Sequence, residues 1–153
     1  IERQFVETLL EAVGKRGTIF AHSANSVEID NLKKLKLKES CKDLADKIDK
    51  VIERTQDSLI ISRMNFYSPL MSGDWGVKSL IKAIPDCPIN YQELDNIDGG
   101  DGAQLAWFIY TNKKTTEKEK KAQEKNLIEY CAKDTLALYY LIKFLMEKSN
   151  EQS

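Results

Sequence analysis

Gly17-Thr18-Ile19-Phe20-Ala21 is the stretch on which the fold class turns. This short apolar run, with β-branched and aromatic side chains and a polar segment behind it, predicts a buried strand. Upstream, Phe5, Val6, Leu9, Leu10 and Val13 recur at three- and four-residue spacings, the pattern of an amphipathic helix ending at Gly14. Downstream, His22-Ser23-Ala24-Asn25-Ser26 is small and polar and reads as a loop. Val27, Ile29, Leu32, Leu35 and Leu37 then predict a second helix. Ser40 to Arg54 predicts a third, capped by Ser40, with Leu44, Ile48, Val51 and Ile52 on one face. Asp57-Ser58-Leu59-Ile60-Ile61 predicts a second short strand.

Further along, Ser62 to Asp74 reads as irregular, and Val77 to Ile84 as a short helix stopped by Pro85. Residues 85–99 carry two prolines and several acids and read as an exposed connection. Gly99-Gly100-Asp101-Gly102 leads into a helix from Ala103 to Tyr110. The Lys/Glu run from 113 to 125 reads as a solvated helix or a loop, and Leu127 to Met146 as the last and strongest helix. Strands set among helices predict an α/β class. Two or three strands make a poor sheet alone, since about four to six is usual, so further strands are expected upstream of Ile1. The opening Ile1-Glu2-Arg3-Gln4-Phe5 has neither a basic leader nor an initiator methionine and reads as mid-helix. The whole chain, 1–153, is therefore read as one partial domain.

Composition narrows the function classes. The chain is 42% hydrophobic and 31% charged, which fits a globular domain. A net charge of −1 argues against a purely electrostatic DNA-binding module, because phosphate contacts dominate the affinity of such modules. It leaves room for a nuclease, where bound divalent cations supply the positive charge. Cys41, Cys87 and Cys131 are odd in number and scattered, which argues against a disulfide framework or a zinc site and for a reducing, cytoplasmic setting. Cys131 is expected as a buried free thiol. No apolar run nears the roughly 20 residues that cross a bilayer.

The chemistry-bearing signal is Tyr130-Cys131-Ala132-Lys133-Asp134. Residues four apart share a helix face, so Tyr130 and Asp134 lie one turn from each other. The apolar face of that helix is set by Leu127, Leu138, Leu141, Ile142 and Leu145. Alone the pattern is weak, and a partly solvated helix acid is the blander reading.

Its surroundings resemble a known family. Leu127-Ile128-Glu129-Tyr130-Cys131-Ala132-Lys133-Asp134-Thr135-Leu136-Ala137 looks like the closing motif of the bacterial domain of unknown function 2779, a family similar to the ribonuclease H-like DEDD exonucleases of the tyrosine class. Ala21 to Leu35 resembles the loop and helix that carry that family's second acid. Asp57-Ser58-Leu59 resembles a short acidic strand, Gly73-Asp74-Trp75-Gly76-Val77-Lys78-Ser79-Leu80 a Gly-Ser-Tyr-Ser-Leu-Lys-like element, and Gly99-Gly100-Asp101-Gly102-Ala103 a Gly-Gly-x-Ala-like helix start. The resemblance runs from about residue 18 to about residue 145. It departs from the family at Val27, where an aromatic residue is usual, and in showing no Asp-x-Glu strand.

The resemblance implies a ribonuclease H-like fold represented by its C-terminal part, and a metal-dependent nuclease of the 3'-5' exonuclease type acting on DNA or RNA. Asp134 and Glu28 would be metal ligands for two Mg²⁺ or Mn²⁺ ions, with Asp30 the alternative to Glu28, and Tyr130 would position the attacking water. Lys78 is the candidate phosphate contact. An ordinary helix-start acid remains the competing reading for Glu28, and a solvated lysine for Lys78. Asp57 reads equally as a turn-capping acid, His22 as a polar loop residue, and Trp75 and Trp107 as packing anchors or base-stacking platforms. The alternative function is an inactive module of the same fold, serving as a scaffold or nucleic-acid-binding appendage.

Overall fold

A computed structural model describes residues 1–89 and 99–151. The chain divides into two compact units, Ile1–Gly76 and Val77–Ser153.

The first unit opens with helix α1 (Glu2–Val13), which stops at Gly14, whose φ of 58° suits a residue without a Cβ. Strand β1 (Ile19–Ala21) follows, then α2 (Glu28–Lys36), a 3-10 helix (Glu39–Leu44), α3 (Ala45–Arg54), β2 (Thr55–Asp57) and α4 (Ser58–Asn65). A second 3-10 helix spans Pro69–Met71. β1 and β2 pair in parallel, with Ile19 opposite Thr55, Phe20 opposite Gln56 and Ala21 opposite Asp57. Parallel neighbours need a long crossover, and α2 and α3 supply it. The core joins Val6, Leu32, Cys41, Leu44, Ile48 and Val51, with Leu9, Leu10, Val13, Ile19, Leu35 and Ile52 packed against it.

The second unit contains α5 (Val77–Ile81), α6 (Gly99–Thr111) and α7 (Glu117–Glu151), with α5 and α6 both packed on α7. Leu80, Ile81, Ala106, Ala137 and Leu141 are buried. α7 begins on a capping box: the Thr116 N–H donates to the Glu119 carboxylate at 2.9 Å, and the Glu119 N–H donates to the Thr116 hydroxyl at 3.3 Å. The Thr116 hydroxyl, which donates to the Glu119 carboxylate at 2.6 Å, and then the Thr116 N–H hold the Glu119 carboxyl below its usual range. At 35 residues α7 is about 50 Å long. The expected connection of residues 85–99 falls largely on 90–98, outside the described residues.

The ribonuclease H-like α/β expectation is overturned. The described residues are mostly helical and hold only two three-residue strands. Part of the error is local. The apolar run Leu59-Ile60-Ile61 is helix, not strand, because the Asp57 carboxylate accepts the Leu59 N–H at 3.0 Å and starts α4. The strand ends where this cap begins, and α4 runs on to Asn65 through residues expected to be irregular.

Two smaller expectations also change. Ser40 caps nothing; it sits in the 3-10 helix, where its carbonyl accepts from Arg3 at 2.9 Å. Cys131 is exposed, and the buried thiol is Cys41. Among the described residues no helix is long and apolar enough to cross a membrane.

Candidate functional site

The expected site residues fall in both units. Glu28 belongs to the first; Lys78, Tyr130 and Asp134 belong to the second.

In the second unit, α7 places Tyr130 and Asp134 one turn apart, and α5 brings Lys78 to them. The phenol donates a hydrogen bond to the Asp134 carboxylate. Lys78 Nζ lies over the Tyr130 ring, 5.5 Å from its centroid, within the range of a cation–π contact. All three side chains are partly buried. Burial, then the Asp134 charge and the hydrogen bond to it, push the Tyr130 phenol up to about 12. A phenol so held keeps its proton at neutral pH, so it cannot act as a general base. Its oxygen still has lone pairs that accept from a water. If Tyr130 positions an attacking water, Tyr130→Phe is expected to retain the fold and to lower kcat about tenfold, with KM little changed, in a steady-state cleavage assay. An unchanged kcat would remove Tyr130 from the reaction.

In the first unit, the acidic candidates lie at or beyond the ends of the two short strands. Glu28 is the first residue of α2, exposed and without an ion pair among the described residues. Asp30, its alternative, is tied to Lys34 at 2.6 Å. Asp57 ends β2, caps α4 and accepts the Asn25 N–H at 3.1 Å. The charges of Asp57 and Glu28 both reach His22.

His22 is the residue that sequence reasoning undervalued. Its Nε2 is 2.9 Å from the Trp75 carbonyl and its Nδ1 2.9 Å from Ser58 Oγ. A carbonyl only accepts, so Nε2 carries the proton and Nδ1 accepts from the Ser58 hydroxyl. Ser58 is fully buried, so this serine–histidine pair is a strut and not an open nucleophile. Its partners lie 36 and 53 positions away, beyond any local spacing rule. Trp75 itself donates through Nε1 to the Phe66 carbonyl at 3.3 Å, which makes it a packing anchor, whereas Trp107 is exposed beside Tyr110.

Burial lowers the His22 pKa, and Arg63 lowers it further, against the raising effects of the Trp75 carbonyl, Asp57 and Glu28. The unfolded chain therefore takes up a proton that the folded chain resists. Stability from this residue is complete above its ordinary value of 6.5 and is lost as pH falls from there towards the depressed folded value. Melting temperatures between pH 7.5 and 5 are expected to fall more steeply for wild type than for His22→Gln. Parallel curves would refute the assignment.

A two-metal cage needs clustered carboxylates. Among the described residues no group of three or more His, Cys, Asp or Glu side chains is placed to hold a metal ion. The described donors therefore do not fit such a cage.

Fold and site together define a helix-rich protein of two units, one built on a short parallel ribbon and the other carrying a lysine–tyrosine–aspartate group. Residues 1–76 match the model of the family described as domain of unknown function (DUF2779), which supports that family over the span of the first unit. No curated protein and no solved structure matches the chain.

Proposed function

We propose that this chain is part of a nuclease that hydrolyses nucleic-acid phosphodiesters, with Lys78, Tyr130 and Asp134 at the reacting bond. The observation that carries the reading is the meeting of these three side chains on α5 and α7. The Lys78 ammonium offsets phosphate charge, which grows on the oxygens during attack. The Tyr130 oxygen, its own proton engaged by Asp134, accepts a hydrogen bond from the attacking water and fixes its direction. Water oxygen bonds to phosphorus, the ester bond breaks, and the water proton ends on the leaving oxygen or in solvent.

Within the second unit, Asp134 is the carboxylate that this reading offers toward Mg²⁺ or Mn²⁺. No step here is routed through an ion, since the described donors do not complete a cage.

The test is cleavage of end-labelled single-stranded DNA and RNA with Mg²⁺ or Mn²⁺, comparing wild type with Asp134→Ala. Cleavage by wild type alone supports the reading. Equal turnover in both would end it, and strand binding without turnover would favour the inactive binding module.

A further inference from the structure

We propose that the groove between α1 and α3 binds the phosphate backbone of a single-stranded nucleic acid. The proposal rests on the nuclease reading for its choice of polyanion, but the groove carries its own evidence.

α3 sorts its charges. Lys47, Lys50 and Arg54 recur at three- and four-residue spacings, and so do Asp46, Asp49 and Glu53. At about 100° per residue, each set falls within a stripe roughly 60° wide, and the two stripes lie on different faces. Ile48 and Val51 take the buried face. The acidic stripe turns toward α2, where Asp49 accepts from Lys36 at 2.6 Å. The basic stripe instead lines a groove of about 740 Å³ against α1, with Lys15 on its far wall and Leu10, Leu44 and Val51 also lining it.

The charges in this groove are unevenly compensated. Arg3 is held by Asp43 at 2.7 Å and Glu7 at 2.9 Å, which leaves that end with one surplus carboxylate charge, and the Lys47 charge also acts on Asp43. Arg54 donates to the Gly14 carbonyl at 2.8 Å and the Gly17 carbonyl at 3.0 Å. Carbonyl dipoles orient a guanidinium without cancelling its charge. Lys15, Lys47 and Lys50 make no ion pair among the described residues, and Lys47 and Lys50 are exposed. Five cations and three carboxylates thus line the groove, a net charge of +2 that is concentrated along Lys15, Lys47, Lys50 and Arg54.

A row from Lys47 to Arg54 spans about 10 Å of rigid helix, long enough for successive phosphates and too long for one small anion. The apolar lining suits sugars and bases beside the charged rail.

The test uses the whole chain, EDTA to prevent turnover, and a fluorescent single-stranded DNA read by anisotropy across salt. The variant Lys15→Glu/Lys47→Glu/Lys50→Glu is expected to lose at least about tenfold in affinity. Its log–log salt slope should flatten by about 2, from roughly 0.7 for each of three lost phosphate contacts. Lys33→Glu/Lys38→Glu/Lys42→Glu makes the same change in net charge outside the groove and should lose far less. Equal losses in the two variants, or no binding by wild type, would overturn the proposal. So would equal affinity for polyglutamate. Should the triple variant fail to fold, Lys47→Gln/Lys50→Gln must still flatten the slope by about 1.4, and an unchanged slope overturns the assignment. Asp134→Ala should keep full strand binding, so its turnover tests the catalytic reading alone, and the lysine variants test the groove alone.

Discussion

Ile48→Ala is expected to remove about 3 kcal/mol of unfolding free energy, a large share of what a domain of this size possesses. Ile48 is 1% exposed and sits in the cluster with Val6, Leu32, Cys41, Leu44 and Val51. The substitution deletes three carbons, worth roughly 0.8 kcal/mol each in transfer, and leaves a cavity that adds to the cost. The walls of that cavity belong to helices fixed elsewhere, so the site has little freedom to collapse. Urea denaturation checks this, with Ile48→Val expected to cost about 1 kcal/mol. A loss below about 1 kcal/mol for the alanine variant would mean that this cluster is not the core of the first unit.

Asp134→Ala should cost about 100-fold in kcat for strand cleavage, equal to about 3 kcal/mol of transition-state stabilisation. Two effects combine. On the proposed nuclease reading, the carboxylate beside the phosphodiester is lost, and the phenol of Tyr130 is freed from the acceptor that holds it. Because the second effect is contained within the first, the double variant with Tyr130→Phe should fall little further than Asp134→Ala alone. Full multiplication of the two losses would show that the residues work separately. Asp134→Asn sharpens the test: it can still accept from the phenol but has no charge, so recovery of activity would assign Asp134 to positioning alone.

Reading spacing alone recovered the elements whose signal is local and long enough to be periodic. α1 is legible from Phe5 to Val13 and its Gly14 stop, and α2 from Ile29 and Leu32, both of which are buried. β1 lies inside the apolar run that predicted it. The same logic failed at Leu59-Ile60-Ile61, because three apolar residues fit either a strand or one helical turn, and a single capping carboxylate decides between them. The start of α7 was readable in principle, since Thr116-Glu117-Lys118-Glu119 has the spacing of a capping box. The density of lysine around it makes the segment look like charged surface instead.

For the candidate site, the shared face of Tyr130 and Asp134 follows from helical geometry. The approach of Lys78 to that ring does not, as it depends on how α5 packs on α7. The links from His22 to Ser58 and Trp75 are likewise tertiary, and nothing in their spacing announces them.

The long final helix leads to one more consequence. From Glu117 to Lys125 no side chain is buried, so nothing in the hydrophobic interior anchors these opening turns. Free-standing segments shorter than about 12 residues barely hold a helical shape in water. These turns therefore rest on the Thr116–Glu119 clasp, on the Lys120–Glu117 pair at 3.0 Å and on continuity with the rest of the rod. With so little side-chain burial to hold them, the opening turns depend on the residue at the entrance far more than the later turns do.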